Sequence, residues 1–203
     1  MTMIIIKLIL IVVVSYIIGS IPTGYLIVKK LKGIDIRKTG SGSTGATNVK
    51  RILGTKWFYV VMLIDAIKGA IPVFIAHKWF NFYVCYDLSP VLAAAAAVIG
   101  HSKSVFLNFT GGKSVATSIG TIIALNPIIG LIAAAIWGII TYTSKYVSLG
   151  SVIALCLVPL LMNFFNQSVY YIIYSAACAV YVIFLHQSNI KRLMSGRENK
   201  VRK

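Results

Sequence analysis

The chain has 203 residues, 58% of them hydrophobic and only 12% charged, with a mean hydropathy of +0.86. A soluble domain of this size carries about 25% charged residues, so a water-exposed globule is excluded and lipid is the expected solvent. The formal charge of +16 sets 20 Lys and Arg against four acids, Asp35, Asp65, Asp87 and Glu198. These basic residues fall between long apolar runs, so they read as cationic loops flanking membrane spans, and no nucleic-acid partner is expected.

A membrane-crossing helix needs about 20 apolar residues. Met3 to Val28 meets this as a first span, with Pro22 and Gly24 breaking its last turns. No charge precedes the run and no small-residue cleavage site ends it, so it reads as an uncleaved span rather than a signal peptide. Lys29 to Lys56 is a polar interval with eight basic residues. Trp57 to Ala76 is the second span, interrupted by Asp65 and Lys68. The third ends at Gly100 and is expected to begin near Phe82. His101 to Lys113 is the second polar interval. Ser114 to Ser144 is too long for one span, and Asn126-Pro127 near its middle predicts a tight turn between two short ones. Tyr146 to Leu185 divides in the same way, with a connection over Asn163 to Ser168, and a polar tail follows from His186.

The predicted fold is therefore all-α, with seven transmembrane helices in one domain over 1–203. Parity supports this count. It places 17 of the 20 basic residues on one side of the bilayer, which the positive-inside rule makes cytoplasmic, with the N-terminus outside and the C-terminus inside. Cys85, Cys156 and Cys178 are isolated, so neither a disulfide framework nor a metal site is expected. No cofactor is expected either.

Three polar segments, 35–51, 100–114 and 186–200, carry the chemistry. In the first, Gly40, Gly42 and Gly45 stand among five hydroxyls, including Ser41, Ser43 and Thr47, and Asn48 and Arg51 follow. Glycines in such a run let backbone N–H groups converge as an anion nest, and an Arg nearby adds a planar fork for phosphate. In the second segment, Gly111-Gly112-Lys113-Ser114 precedes an apolar helix and resembles a phosphate loop. Leu107 stands where the earlier glycine of a nucleotide-binding loop would be, so a nucleotide triphosphatase is not expected. In the third segment, His186 and Asn189 share a face if the segment is helical, and His186 is the candidate for proton work near neutral pH. His77 reads as an interfacial residue without a role. Asp65 and Lys68, three apart within a span, are expected to pair, because an isolated charge in lipid is costly.

Taken in order, these segments resemble the bacterial integral-membrane glycerol-3-phosphate acyltransferases that use acyl phosphate. The likeness runs through Gly19-Ser20-Ile21-Pro22, Asp35-Ile36-Arg37, Gly40 to Asn48, Arg51, Asp65, Lys68-Gly69, Gly100-His101, Phe106-Leu107, Gly111-Gly112-Lys113, His186, Asn189, Gly196 and Glu198. The resemblance implies a bacterial cytoplasmic-membrane enzyme with its active site on the cytoplasmic face. Such an enzyme transfers a fatty acyl group to the 1-hydroxyl of sn-glycerol 3-phosphate, and the product is lysophosphatidic acid, the first step of phospholipid synthesis. It implies membrane lipid as surroundings and a functional link to the enzyme that makes acyl phosphate.

Carried over to this chain, the family pattern makes Ser41, His186 and Asn189 catalytic. Gly42, Ser43, Thr47, Asn48, Arg51, Gly111, Gly112 and Lys113 would bind substrate, and Glu198, with Asp65 and Lys68, would be structural. Four positions depart from it: Ser43 replaces a usual Asn, Thr110 a Lys, Ser114 a Gly and Gln187 an Arg, as fits a divergent second copy. No His is followed five residues later by Asp, so the His–Asp pair of other acyltransferases is absent. The expected chemistry is direct attack by the glycerol hydroxyl on the mixed anhydride. Arg51 and Lys113 would hold phosphate, Ser41 and Asn48 would orient the reacting groups, and His186 or the substrate's phosphate would take the proton. An organic-phosphate transporter, or an inactive relative serving as an assembly partner, is the alternative.

Overall fold

The computed structural model describes residues 2–80 and 86–201. Cys85 and the expected start of the third span near Phe82 lie outside the described residues, as do Arg202 and Lys203 of the tail. The chain packs as two compact units, Met1–Thr121 and Ile122–Lys203.

In the first unit, α1 (Thr2–Ser20) and α2 (Thr23–Lys32) are separated only by Ile21-Pro22. The first helix was expected to fade after Val28. It continues through Lys29, Lys30 and Lys32, and Gly33 at φ 70° ends it. Lysine is a good helix former, and Pro22 sits at the helix entrance, where its missing N–H costs nothing. Lys29 Nζ also donates to Gly33 O at 3.1 Å, which satisfies one carbonyl of the last turn.

A short α3 (Ala46–Leu53) leads into α4 (Thr55–Trp79), and α5 (Leu88–Ser102) follows. Small residues let α1 and α5 approach closely: Gly19 lies against Ala97, and Gly100 against Tyr16 and Ser20. Ile11, Ala76, Phe80 and Ala93 fill one core cluster, and Val28, Ile36, Val49 and Val61 fill a second beneath the first polar segment. The expected pairing within α4 is present. Lys68 Nζ lies 2.8 Å from Asp65 Oδ1, both side chains being buried.

The break at Asn126 is where the sequence places it. Here α6 (Val115–Leu125) meets α7 (Pro127–Ser144), the Asn126 side chain accepting from Ile129 N–H at 3.1 Å with Pro127 at the first helical position. In the second unit, α8 (Val147–Phe164) and α9 (Val169–Leu185) pack as neighbours. A bend of 64° at His186 then sends the chain into α10 (Gln187–Met194), so the start of the polar tail is helical. Among the described residues, four helices or helix pairs are long and apolar enough to cross a bilayer, five if α9 and α10 count as one bent span; α5 and α6 are apolar but shorter. The molecule is an all-helical protein built for the membrane.

Candidate functional site

The first polar segment is organised by one buried side chain. Asn48, 1% exposed on the first turn of α3, accepts from Ser41 N–H at 3.1 Å. Its amide donates to Ser43 O at 2.9 Å, Thr39 O at 3.0 Å and Ile36 O at 3.4 Å. Gly40 passes so close that a β-carbon there would collide with the Asn48 carboxamide, and its φ of 60° is left-handed. Asn48 thus bonds to the backbone of its own loop through both its carbonyl oxygen and its amide.

Three N–H groups of the glycine run are engaged within the loop. Ser41 N–H goes to Asn48, Gly42 N–H to Thr39 O at 3.1 Å, and Gly45 N–H to Ser43 Oγ at 3.2 Å. Glycine turns this backbone, and those three donors bond within the loop. Groups that do reach outward are the side chains of Ser41 and Arg51, both exposed, with Thr47 half-buried on α3. Ser43 completes the turn through its hydroxyl, the task an Asn does through its carboxamide.

Asp35 and Arg37 brace the entry to this loop. The guanidinium donates to both carboxylate oxygens, at 2.7, 3.0 and 3.1 Å. These bonds from Arg37 hold the Asp35 carboxyl at about 2. Arg37 also lies over the Tyr25 ring, 5.4 Å from its centroid, and donates to Leu107 O at 3.4 Å. That last contact joins the first polar segment to the second across 70 residues of chain.

The second segment is a compact loop after α5. Ser104 and Thr110 pair as an isolated bridge, Ser104 Oγ donates to Ser20 O at 2.6 Å, and Thr110 Oγ1 donates to Leu107 O at 2.7 Å. Gly111 and Gly112 then fold back onto the end of α5, where Gly112 N–H reaches His101 O at 3.1 Å. A β-carbon on Gly112 would strike the His101 ring. Lys113 follows, half-buried. Ser114 adopts φ 59°, a conformation that favours glycine. Its hydroxyl donates to Val98 O at 2.8 Å, which offsets part of that cost and accounts for serine at a position where glycine is usual.

In the second unit, His186 sits at the bend between α9 and α10, 3% exposed. Its Nδ1 lies 2.8 Å from Val182 O, an arrangement that makes Nδ1 the donor and puts the basic lone pair on Nε2. Asn189, 8% exposed, donates to Glu198 Oε1 at 2.6 Å. Glu198 also accepts from Ser148 Oγ at 2.9 Å and from Arg192 Nε at 2.7 Å. Burial pushes the Glu198 carboxyl up, but hydrogen bonds from Asn189, Arg192 and Ser148 outweigh it and hold the group below the usual range. Asn189 thus helps to hold the tail through Glu198. Gln187 is exposed at the start of α10, and nothing in the structure explains its departure from the usual Arg.

Of the expected residues, Ser41, Thr47, Arg51, Gly111, Gly112 and Lys113 belong to the first unit, and His186, Asn189 and Glu198 to the second. His101 is buried between Asp65 and Gly112, with Nδ1 3.7 Å from Asp65 Oδ1. A lone His after an apolar helix carries no spacing signal that would have shown this.

Residues 9–196 match the family model described as glycerol-3-phosphate acyltransferase. A glycerol-3-phosphate acyltransferase of Trichormus variabilis is 44% identical over 204 residues, covering 94% of this chain and 90% of that protein. One of Fusobacterium nucleatum is 45% identical, covering 93% and 95%. The fold is similar to the crystal structure of PlsY (YgiH), an integral membrane glycerol 3-phosphate acyltransferase, in its glycerol 3-phosphate form. The TM-score is 0.91 at 36% identity, over 97% of this chain and 96% of that one.

Proposed function

The chain belongs to the glycerol-3-phosphate acyltransferase family, and on that premise we propose that it draws its acyl group from an acyl phosphate. It is an integral-membrane enzyme of phospholipid synthesis that acylates glycerol 3-phosphate to lysophosphatidic acid. The observation that supports the donor is the pairing of two cationic, glycine-bearing loops in one unit, tied by Arg37 to Leu107 O. Both an acyl phosphate and glycerol 3-phosphate present a phosphate, and each loop carries a cation suited to one, Arg51 and Lys113.

In the reaction, the 1-hydroxyl oxygen attacks the acyl carbonyl carbon, the carbon–oxygen bond to phosphate breaks, and inorganic phosphate leaves. Phosphate is a good leaving group, so positioning and charge stabilisation do most of the work. Arg51 and Lys113 hold the two phosphates, and Ser41, whose hydroxyl is exposed, orients the acyl group. The hydroxyl proton goes to the phosphate monoester of the acceptor, whose second pKa is about 6. Asn48, Gly42 and Ser43 act one step back, by giving the first loop its shape, while Thr47 binds substrate beside Ser41.

The chain crosses the cytoplasmic membrane seven times, as α1 with α2, then α4, α5, α6, α7, α8 and α9, with α6 the shortest. The N-terminus is outside and both loops face the cytoplasm. Support for this comes from the lysines and arginines, which collect in alternate connections. The acyl-phosphate-producing enzyme is the functional partner on that side.

The test is a purified enzyme supplied with labelled glycerol 3-phosphate and either palmitoyl phosphate or palmitoyl-CoA. Labelled lysophosphatidic acid is expected with the acyl phosphate alone. Equal product from the thioester would overturn the donor assignment, and an acyl-enzyme isolated without glycerol 3-phosphate would overturn direct attack.

A further inference from the structure

Three buried polar side chains lie beneath the second loop, and the reaction as derived above uses none of them. Lys68 Nζ pairs with Asp65 Oδ1 at 2.8 Å and donates to Ile21 O at 2.6 Å, in the break between α1 and α2. His101 Nδ1 stands 3.7 Å from the same carboxylate oxygen, and no hydrogen bond satisfies that nitrogen. The other edge of the ring, Nε2, is where a β-carbon on Gly112 would fall. A chain of close contacts therefore runs from Ile21 through Lys68 and Asp65 to His101, its Asp65–His101 step a 3.7 Å approach of opposite polarity, and on to Gly112. It ties the α1–α2 break, α4 and α5 to the loop that presents Lys113.

Charged groups in an apolar helix bundle are expensive, and a merely structural pair is often replaceable by apolar residues of the same volume. Here the pair has a further geometric consequence. It braces a ring whose position leaves room only for glycine at 112, while the His101 carbonyl receives the Gly112 N–H at 3.1 Å and crowds Gly111 as well. The loop is thus held from one side by a hydrogen bond and from the other by contact with a buried imidazole.

We propose that His101 is a positioning residue for glycerol 3-phosphate: braced by Asp65 and Lys68, its ring is the wedge over which Gly111-Gly112 folds, and it sets the place of Lys113. This rests on the acyltransferase activity proposed above and extends it to residues that touch neither substrate. The mechanism is steric and local. Removing the ring leaves a void into which the loop relaxes, and adding a methyl at Gly112 pushes the loop off the ring, so Lys113 is displaced either way. A displacement near 1 Å costs about a hundredfold in a positioned reaction.

A double-mutant cycle tests the wedge. The full-length enzyme is purified as wild type, Gly112→Ala, His101→Ala and the double variant, with KM for glycerol 3-phosphate, kcat and thermal unfolding measured for each. Gly112→Ala is expected to raise that KM about tenfold or more, with a smaller change in kcat and in KM for the acyl phosphate. His101→Ala raises the same KM. On the His101→Ala background the added methyl costs less than about threefold, because the group it collided with is gone. Asp65→Asn, which keeps the shape but loosens the brace, shifts the same KM in the same direction. His101→Ser, run in parallel, keeps the cycle readable where His101→Ala does not fold.

Equal cost of Gly112→Ala in both backgrounds, or an unchanged KM in a folded His101→Ala enzyme, would overturn the wedge. A wild-type protein without acyl transfer would instead overturn the activity. The same cycle is then read from the rise in unfolding temperature that glycerol 3-phosphate produces, so the two failures stay distinguishable.

Discussion

The loops around Gly40 and around Gly111 look alike in sequence, each a glycine-bearing polar stretch with a cation close by, yet each closes around a different kind of buried group. Hydrogen bonds hold the first: one buried carboxamide, Asn48, bonds to four backbone groups. The second adds contact to its hydrogen bonds, because Gly112 lies against the His101 ring while its N–H reaches the His101 carbonyl. A glycine-rich run is therefore not a structure in itself. Its geometry comes from whichever rigid group it closes around, and that group lies outside the run: Asn48 at the head of α3 in one case, His101 at the end of α5 in the other.

The largest effect expected from breaking this contrast is at Asn48. Asn48→Ala would leave several buried backbone groups of the first loop without a partner, each worth about 1–3 kcal/mol. Thermal unfolding should show a loss of about 3 kcal/mol or more, and the assay a fall of about a hundredfold in kcat/KM. Asn48→Asp should fare no better, since it keeps the acceptor for Ser41 but sets a carboxylate against three carbonyls. A near-normal Asn48→Asp enzyme would show that the hydrogen-bond account of this loop is wrong.

Next in size is Arg37→Gln, which cuts the link between the loops by removing both the Asp35 bridge and the bond to Leu107 O. About a tenfold fall in kcat/KM is expected, with KM rising for both substrates. A rise for only one of them would mean that the loops are set independently.

The tail offers a comparison outside both loops. Glu198 is depressed in the folded state, so its stabilisation is complete above the ordinary glutamate value of about 4.3 and is lost as pH falls through the lower folded value. Thermal stability of the wild type should therefore decline from about pH 5 downward. Glu198→Gln should be less stable at neutral pH and flatter across that acid window. Parallel curves for the two proteins would remove Glu198 from the account.

The smallest effect is expected at Ser114. Changing Ser114 to Gly relieves a left-handed backbone worth about 1–2 kcal/mol and loses one hydrogen bond worth about 1 kcal/mol. The net change in unfolding free energy should stay within about 1 kcal/mol of zero. A loss well beyond that would mean the bond to Val98 O matters more than the strain.

Much of this was legible without coordinates. The Asn126 break follows from a residue that caps helices next to one that starts them, and the structure has it there. The Asp65–Lys68 pair follows from the cost of isolated charge in lipid. Less visible was the continuation of the first helix through Lys29 to Lys32, because polarity marks where the apolar stretch stops rather than where helical hydrogen bonding stops. The sequence marks Asn48 and Asn189 as polar groups of the motifs, but not the loop carbonyls and the Glu198 carboxylate they bond to. A carboxamide serves a ligand or its own backbone equally well, and nothing in its neighbours along the chain tells which.

The sequence by itself determined the solvent, the helical class, the three polar segments and the family, because hydropathy, proline placement and motif order are properties of residues close in the chain. Only the tertiary structure decided which groups those segments close around. Arg37 meets Leu107 across 70 positions, Asp65 meets His101 from a different helix, and Glu198 gathers Ser148, Asn189 and Arg192. Such partnerships depend on which helix faces pack together, and local composition does not carry that information.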